Sequence, residues 1–374
     1  MNKAVVVSLG IVSPLGIGQT QTWQNILKQI YPETYKIPLT TPENEDRSYS
    51  LAKLALSEAL ENIPSELIKN AGMLISNSKY GLDYFERTIK THSPKNLPEE
   101  FLDNFLPDRI GLKLARKYKI EGPVKNYAAA CTTGLLSLIE GAKLIESGEV
   151  NLAITGATES AQIPVIKQGF ESLGVLTTEK IRPFSLNRSG FQISEGCGVI
   201  VLADYNYAKK HNLPILAEIS SYFINNQAFH LTSFEPNGDS IAFNIHKNLE
   251  KTNINKVSFI NCHGTATKQN DLIETKAFKK AFGKMAYNIP ISATKPLTGH
   301  SLGATSAIEF ILSILSLYNN TLIPTINLDI PDPECDLDYV PSLRKNTMHS
   351  FMSINYGFGG HVMSIIASKE INPL

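Results

Sequence analysis

Cys131 stands in Asn126-Tyr-Ala-Ala-Ala-Cys131-Thr-Thr-Gly134, crowded by small residues, and an apolar-periodic run follows with Leu135, Leu138, Ile139 and Leu144 near helical spacing. That spacing predicts a sulfur at a helix N-terminus, where free amides and the helix dipole favour the thiolate, the form that attacks carbonyl carbon. The alanines and Gly134 let backbone and substrate come close. A buried small hydrophobe is the competing reading of this segment, since most unpaired cysteines are that. Cys197 and Cys262 lie in or beside strand-like runs and Cys335 in a Pro/Asp-rich loop, so these three read as structural.

Three further segments carry chemistry. Val257 to Ile260 reads as a strand running into Asn261-Cys262-His263-Gly264-Thr265-Ala-Thr267, with a helix opening at Asp271 as N-cap and Glu274 completing a capping-box-like pattern. Strand ends that become loops are where α/β folds place reactive side chains, and the hydroxyls of Thr265 and Thr267 suit an amide-bearing ligand. In Ile291-Ser-Ala-Thr-Lys295-Pro-Leu-Thr-Gly-His300, Lys295 and His300 flank a Pro/Gly turn. Glu309 lies nine positions after His300, about two and a half helical turns, and so can return toward Lys295 as a buried counter-ion. Asn355-Tyr-Gly357-Phe358-Gly359-Gly360 follows a strand; three glycines around one aromatic suit a mobile loop with a ring as gate, and equally a plain turn.

Elements must position these groups. The chain has 374 residues, 43% hydrophobic and 19% charged, with 35 basic and 35 acidic side chains, so it is globular and has no excess positive charge for nucleic acid. Four cysteines without C-x-x-C spacing provide neither a disulfide framework nor a zinc site, and suit a reducing compartment. Ala4 to Val12 reads as a buried first strand rather than a signal peptide, because Pro14 and two glycines follow and no cleavage site is present. No run approaches the roughly 20 apolar residues of a membrane span, so a soluble, cytoplasmic protein is expected.

Short apolar runs recur at 4–12, 72–76, 152–155, 198–203, 215–222, 257–260, 289–293, 351–354 and 362–367. Helix-period stretches lie between several of them, at 49–61, 132–147, 271–282 and 301–317. This alternation predicts an α/β fold with largely parallel sheets. The plan of strand, reactive loop and long helix occurs twice, with a seam in the helical 205–213.

Taken in order, Cys131, His263, Lys295 to His300 and the Gly-Phe-Gly-Gly loop make the chain resemble the β-ketoacyl-acyl-carrier-protein synthases, the elongating type I/II condensing enzymes of the thiolase superfamily. Ser8-Leu-Gly-Ile-Val-Ser-Pro-Leu-Gly16, Gly190-Phe-Gln-Ile-Ser-Glu-Gly-Cys-Gly198 and Pro324-Thr-Ile-Asn-Leu-Asp329 extend the likeness over nearly the whole chain. The resemblance implies a thiolase-like five-layer α/β/α/β/α sandwich of two similar halves, 1–213 with Cys131 and 214–374 with His263, Lys295 and His300, usually dimeric. It implies that Cys131 takes an acyl chain from a phosphopantetheine thioester of an acyl carrier protein. His263 and His300 then assist decarboxylation of a malonyl unit, and the carbanion attacks the acyl group to give a β-ketoacyl product. It further implies an oxyanion hole of the Cys131 and Phe358 amides, a supporting Lys295–Glu309 pair, pantetheine contacts from Thr265 and Thr267, and an acyl gate of Phe170 and Phe358 on the glycines 357, 359 and 360. No metal or redox cofactor is implied.

Two departures stand out. His361-Val362 follows Gly360 where the family usually has Thr-Asn, and the stretch from Trp23 to Tyr49 is shorter than usual. The shortened region implies altered carrier docking, an unusual acyl length, a specialised pathway such as polyene synthesis, or a partner subunit. A chain-length factor that shapes a heterodimer without condensing is an alternative; such partners characteristically lose the cysteine, which this chain retains with both histidines. A degradative thiolase generally has a second cysteine where this chain has its Gly-Phe-Gly-Gly loop.

Overall fold

A computed structural model describes residues 2–252, 254 and 257–369. Met1 and 370–374, the ends of the two halves read from the sequence, lie outside the described residues. Strand β1 (Ala4–Ser13) illustrates how the chain serves two faces at once. Ala4, Val6, Leu9 and Ile11 enter one core and Val5, Val7 and Val12 another. The alternation changes parity at a register shift between Val6 and Ser8, since one extra residue in a strand turns the following side chains over.

The other principal strands are β2 (Gly72–Ser76), β3 (Leu152–Ser160), β4 (Glu195–Asp204), β5 (Ala217–Asn226), β6 (Phe259–Asn261), β7 (Ile291–Ser292), β8 (Ser350–Gly357) and β9 (His361–Ser368). They run in the order β2-β3-β4-β1-β5-β9-β8-β6-β7, with β1 meeting β5 through Val5 and Val6 alone. Each half repeats one plan. β1, β4, β3 and β2 pair antiparallel, antiparallel, parallel, and β5, β9, β8 and β6 do the same. Even the short parallel partner β7 of β6 has a counterpart in the bridge of Met73 to Val124.

The sheet is therefore mixed, which corrects the largely parallel one expected. Continuous apolar runs report burial on both faces, and helices here cover both faces of antiparallel strands too. Helices α1 (Arg47–Leu60) and α2 (Arg109–Tyr118) cover the outer face of the first half, while α4 (Asp239–Leu249) and α5 (Lys268–Phe282) cover that of the second. Between the halves lie α3 (Thr133–Glu146) and α6 (Thr305–Asn319), whose leucines and isoleucines fill the central core. The layers run α/β/α/β/α.

The heads of α3 and α6 cross closely. A Cβ on Gly134 would stand 2.5 Å from Ala307 N, and Leu135 N donates to Ser306 Oγ at 3.0 Å. Small residues at both helix heads are what this approach requires. Leu302–Asn319 is, by length and composition alone, apolar enough to cross a membrane, but 89% of it is buried inside the fold, so its apolar surface belongs to the core.

Candidate active site

The Cys131 turn is built by its neighbours. Ala130 adopts φ +50, and a single 3-10 turn, Ala130–Thr132, leads into α3. Thr132 Oγ1 donates to Ala129 O at 2.7 Å, while Thr133 Oγ1 accepts from Ala129 N at 2.9 Å and donates to Ala130 O at 2.7 Å. The hydroxyls lock a backbone conformation that L side chains rarely adopt, aiming the sulfur off the end of the helix. Leu302, with φ +45, occupies the same place ahead of α6, so Gly303 stands in the second half where Cys131 stands in the first.

His263 follows β6 and is held from both sides. Glu274, on α5, accepts from His263 N at 2.7 Å and Gly264 N at 2.9 Å. Around the ring, Lys295 Nζ lies 3.5 Å and Asn355 Nδ2 3.3 Å from Nδ1. Both neighbours are donors, so Nδ1 accepts and the proton sits on Nε2. Lys295 also donates to His263 O and, at 2.7 Å, to Glu309 Oε1, and Asn355 Nδ2 donates to Glu309 Oε2 at 2.7 Å. The ion pair is buried, with side-chain exposures of 0% and 1%.

His300 reaches the same protonation pattern by another route. Its Nδ1 accepts from Leu302 N at 3.2 Å and lies 2.9 Å from Thr305 Oγ1, again leaving the proton on Nε2. Phe191 meets the ring edge-on with centroids 4.6 Å apart, and the two imidazoles lie 5.7 Å apart at 86°. Two N–H donors thus stand side by side, an arrangement suited to stabilising an oxygen that gains negative charge between them.

Cys131, His263 and His300 line one cavity of about 630 Å³, together with Phe170, Phe358, Thr265 and Thr267. Phe170 and Phe358 stack at its wall with centroids 5.9 Å apart. A Cβ on Gly357 would lie 2.9 Å from Ala129 O and 3.4 Å from Cys131 N, so only glycine lets the Phe358 loop come this close to the nucleophile turn. Gly359 and Gly360 follow with φ +87 and +83. In place of a Thr-Asn pair, the loop is tied by Asn226 Nδ2 donating to Gly359 O at 2.7 Å, Gly359 N to Leu231 O at 2.8 Å and Gln227 N to Gly360 O at 2.8 Å.

Burial pushes the Cys131 thiol up to about 11, against the pull of the Lys79 and Lys295 ammonium groups. The helix terminus expected from the sequence is present, but desolvation outweighs it, and the resting group is a thiol. Burial, aided by Lys295, holds His263 and His300 well below the usual imidazole range, so both stay neutral at physiological pH. The two half-steps should therefore differ in pH dependence: a step using only the imidazole donors stays flat from pH 6 to 8, whereas acylation of Cys131 rises across it. Rates of carbon dioxide release and of acyl-enzyme formation check this, and an acid limb near pH 6.5 in the first contradicts the neutral rings.

The structure thus brings together every site residue named from the sequence, with one local correction. Asp271 does not cap α5: Thr267 does, its Oγ1 accepting from Asn270 N at 3.3 Å, and the helix opens at Lys268. Asp271 is instead buried in the first turn, accepting from Phe184 N at 2.8 Å. Glu274, Asn355, Thr305 and Phe191 were missed as site residues. Asn355 adjoins the Gly-Phe-Gly-Gly motif, and Glu274 reads from sequence as a capping residue; Thr305 acts through its hydroxyl beside His300 Nδ1, and Phe191 through ring packing that no local pattern records.

Residues 29–208 match the sequence profile of the N-terminal domain of β-ketoacyl synthases, and 216–329 that of the C-terminal domain. The chain is 31% identical over 407 residues to 3-oxoacyl-[acyl-carrier-protein] synthase 2 of Coxiella burnetii, covering 98% of each. It is 31% identical over 408 residues to the like-named protein of Staphylococcus aureus strain COL, covering 98% of this chain and 99% of that one. Among solved structures it overlays, with TM-score 0.92 and 28% identity over 98% of this chain and 99% of the other, on a chain from a type II polyketide synthase acyl carrier protein in complex with its ketosynthase bound to a hexaketide. A chain from a ketosynthase in complex with its chain length factor, from Xenorhabdus doucetiae, gives 0.84 and 25% over 98% of each.

Fold and site together define an acyltransferase of the thiolase-like class. Within that class the chain belongs to the β-ketoacyl synthase family and is a condensing ketosynthase.

Proposed function

We propose that the chain catalyses decarboxylative condensation of a malonyl unit on an acyl carrier protein with an acyl chain held on Cys131. The Cys131 sulfur attacks the acyl thioester, the pantetheine thiol leaves with the thiol proton, and the amides of Cys131 and Phe358 receive the transient oxyanion. Malonyl thioester then enters. Its carboxylate departs as carbon dioxide, the enolate oxygen accepts from the Nε2–H groups of His263 and His300, and the carbanion attacks the acyl carbon and displaces the Cys131 thiolate, which takes up a proton from solvent, to give β-ketoacyl-carrier protein. Atoms and charge balance without an electron donor or acceptor, so the substrates' phosphopantetheine is the only prosthetic group the scheme uses.

Lys295 and Glu309 fix the proton on His263 Nε2. Thr265 and Thr267 line the path of the pantetheine arm, and Phe170 and Phe358, with glycines 357, 359 and 360, gate it. The two halves, 1–213 and 214–374, supply the nucleophile and the donors respectively. The single observation that carries this reading is the opening of one thiol and two neutral imidazoles onto one cavity. It also weighs against a non-condensing chain-length factor, which has no use for a thiol at that place.

The protein acts in a dimer, with a second copy or a related ketosynthase or chain-length-factor subunit, in fatty acid or polyketide/polyene synthesis. Four unpaired buried cysteines suit the cytoplasm. The test is incubation with acyl- and malonyl-carrier thioesters followed by intact-mass spectrometry. An acyl adduct on Cys131 and a β-ketoacyl-carrier product are expected; a folded protein that forms no adduct refutes the scheme.

A further inference from the structure

The shortened segment between Trp23 and Tyr49 runs inward, to the turn that carries Lys295 and His300. One end is anchored by a buried ion pair, in which Arg47 reaches both oxygens of Glu195, at 2.6 and 2.7 Å. Arg47 also donates to Ile37 O at 2.7 Å and Leu39 O at 2.6 Å, and Ile37 N donates to Glu195 Oε1 at 2.7 Å. Two residues earlier, Tyr35 O accepts from Gln162 Nε2 at 3.1 Å, and that same nitrogen donates to Ile193 O at 2.7 Å.

From this anchor the Tyr35 side chain spans the catalytic turn. Its hydroxyl donates to Pro296 O at 2.8 Å, one residue beyond Lys295. Burial raises that hydroxyl to about 12, so it remains a donor at any working pH. Its ring covers Gly299, one residue before His300: a Cβ there would stand 2.8 Å from Tyr35 Cγ and 2.5 Å from Ser194 Cβ. Gly299 sits at φ +68, a conformation glycine adopts freely but does not enforce. On one side His300 is held by the backbone, its N donating to Gln192 O and its O accepting from Ser194 N, each at 2.9 Å; Tyr35 closes the other side of the turn, over Gly299 and Pro296.

We propose that Tyr35 is a positioning residue for His300, a clasp that fixes the Lys295–His300 turn so that His300 Nε2 stays aimed at the oxygen of the malonyl-derived enolate. This rests on the condensing scheme above. It separates the half-reactions, because the supports of Cys131, namely Thr132, Thr133 and Gly357, lie on other elements. A displacement of about 1 Å in a catalytic donor costs on the order of 10²-fold.

The experiment measures carbon dioxide release from malonyl-carrier protein and acylation of Cys131 by acyl-carrier protein, on purified full-length chain. In Tyr35→Ala, kcat for decarboxylation falls about tenfold or more, KM for malonyl-carrier stays within about twofold, and acylation stays within about twofold. Tyr35→Phe keeps the ring and loses only the bond to Pro296 O, so decarboxylation falls about threefold, with acylation unchanged. Equal losses in both half-reactions, or unaltered decarboxylation, overturn the clasp. If Tyr35→Ala does not fold, the same split in Tyr35→Phe supports the clasp and its absence refutes it. Wild-type chain that acylates Cys131 but releases no carbon dioxide removes both the clasp and the scheme, whereas an active wild type with an indifferent Tyr35 removes the clasp alone.

Discussion

Cys131→Ala should lower condensation by at least about 10⁴-fold while leaving malonyl decarboxylation running. The sulfur is the group that forms a bond to the acyl chain, and no other cysteine can substitute. Cys197 and Cys262 are wholly buried within the outer cores of the two halves, and Cys335 packs in the second of them. Alanine leaves the turn intact, because the positive φ belongs to Ala130 and the hydroxyl bonds to Thr132 and Thr133. The two imidazole donors take their tautomers from Lys295, Asn355, Leu302 and Thr305, none of which involves the thiol. Malonyl thioester should therefore still lose carbon dioxide, and the enolate, with nothing to attack, should take up a proton to give acetyl-carrier protein. Intact-mass spectrometry reads both results at once. If Cys131→Ala still condenses, the nucleophile is elsewhere; if decarboxylation collapses with condensation, the donors depend on the sulfur in a way the geometry does not contain.

That separation was legible in the sequence only in part. His263 and the Lys295–His300 turn are legible because they lie between a strand and a helix, whereas the Phe358 loop joins two strands; a 3.6-residue apolar period after Cys131 and after His300 marks where the helix heads lie. Glu309 was found from spacing alone, since about two and a half turns of a buried helix return a side chain beside the loop that starts it. Strand sense was not legible: Val199 to Ala203 is apolar throughout and Val362 to Ala367 apolar but for Ser364 because helices cover both faces, and that pattern is blind to direction. The cap of α5 was misplaced by four residues because Thr267 and Asp271 are both good cap types, and only the tertiary bond to Phe184 N withdraws Asp271. Tyr35 left no trace, as its role depends on a glycine 264 positions away.

Lys295→Met should destabilise the fold by about 3–5 kcal/mol, a large share of the roughly 5–15 kcal/mol that holds a protein of this kind together. The substitution leaves Glu309 buried, with Asn355 Nδ2 as its remaining side-chain partner from the Lys295–Asn355 pair. Burial already raises the Glu309 carboxyl, and without the ammonium that pressure is opposed less, so the group takes up a proton on folding. The sign follows: with its folded pKa above the unfolded one, Glu309 adds stability below the unfolded pKa and loses it as pH rises through the folded value. The single variant should thus unfold more easily at pH 8 than at pH 6. Lys295→Met with Glu309→Gln removes the unpaired charge and should recover most of the stability, because Gln still accepts from Asn355. Activity should not return with it. Burial first, and Lys295 second, hold His263 well below the usual imidazole range; losing the ammonium relieves only the smaller of the two, so any acid limb in decarboxylation moves to higher pH in the double variant than in the wild type, and Nδ1 keeps Asn355 alone as its donor. Denaturation midpoints at the two pH values and carbon dioxide release across pH 6 to 8 separate the two effects. A double variant that is stable and fully active would reduce Lys295 to a structural counter-ion and remove it from the chemistry of His263.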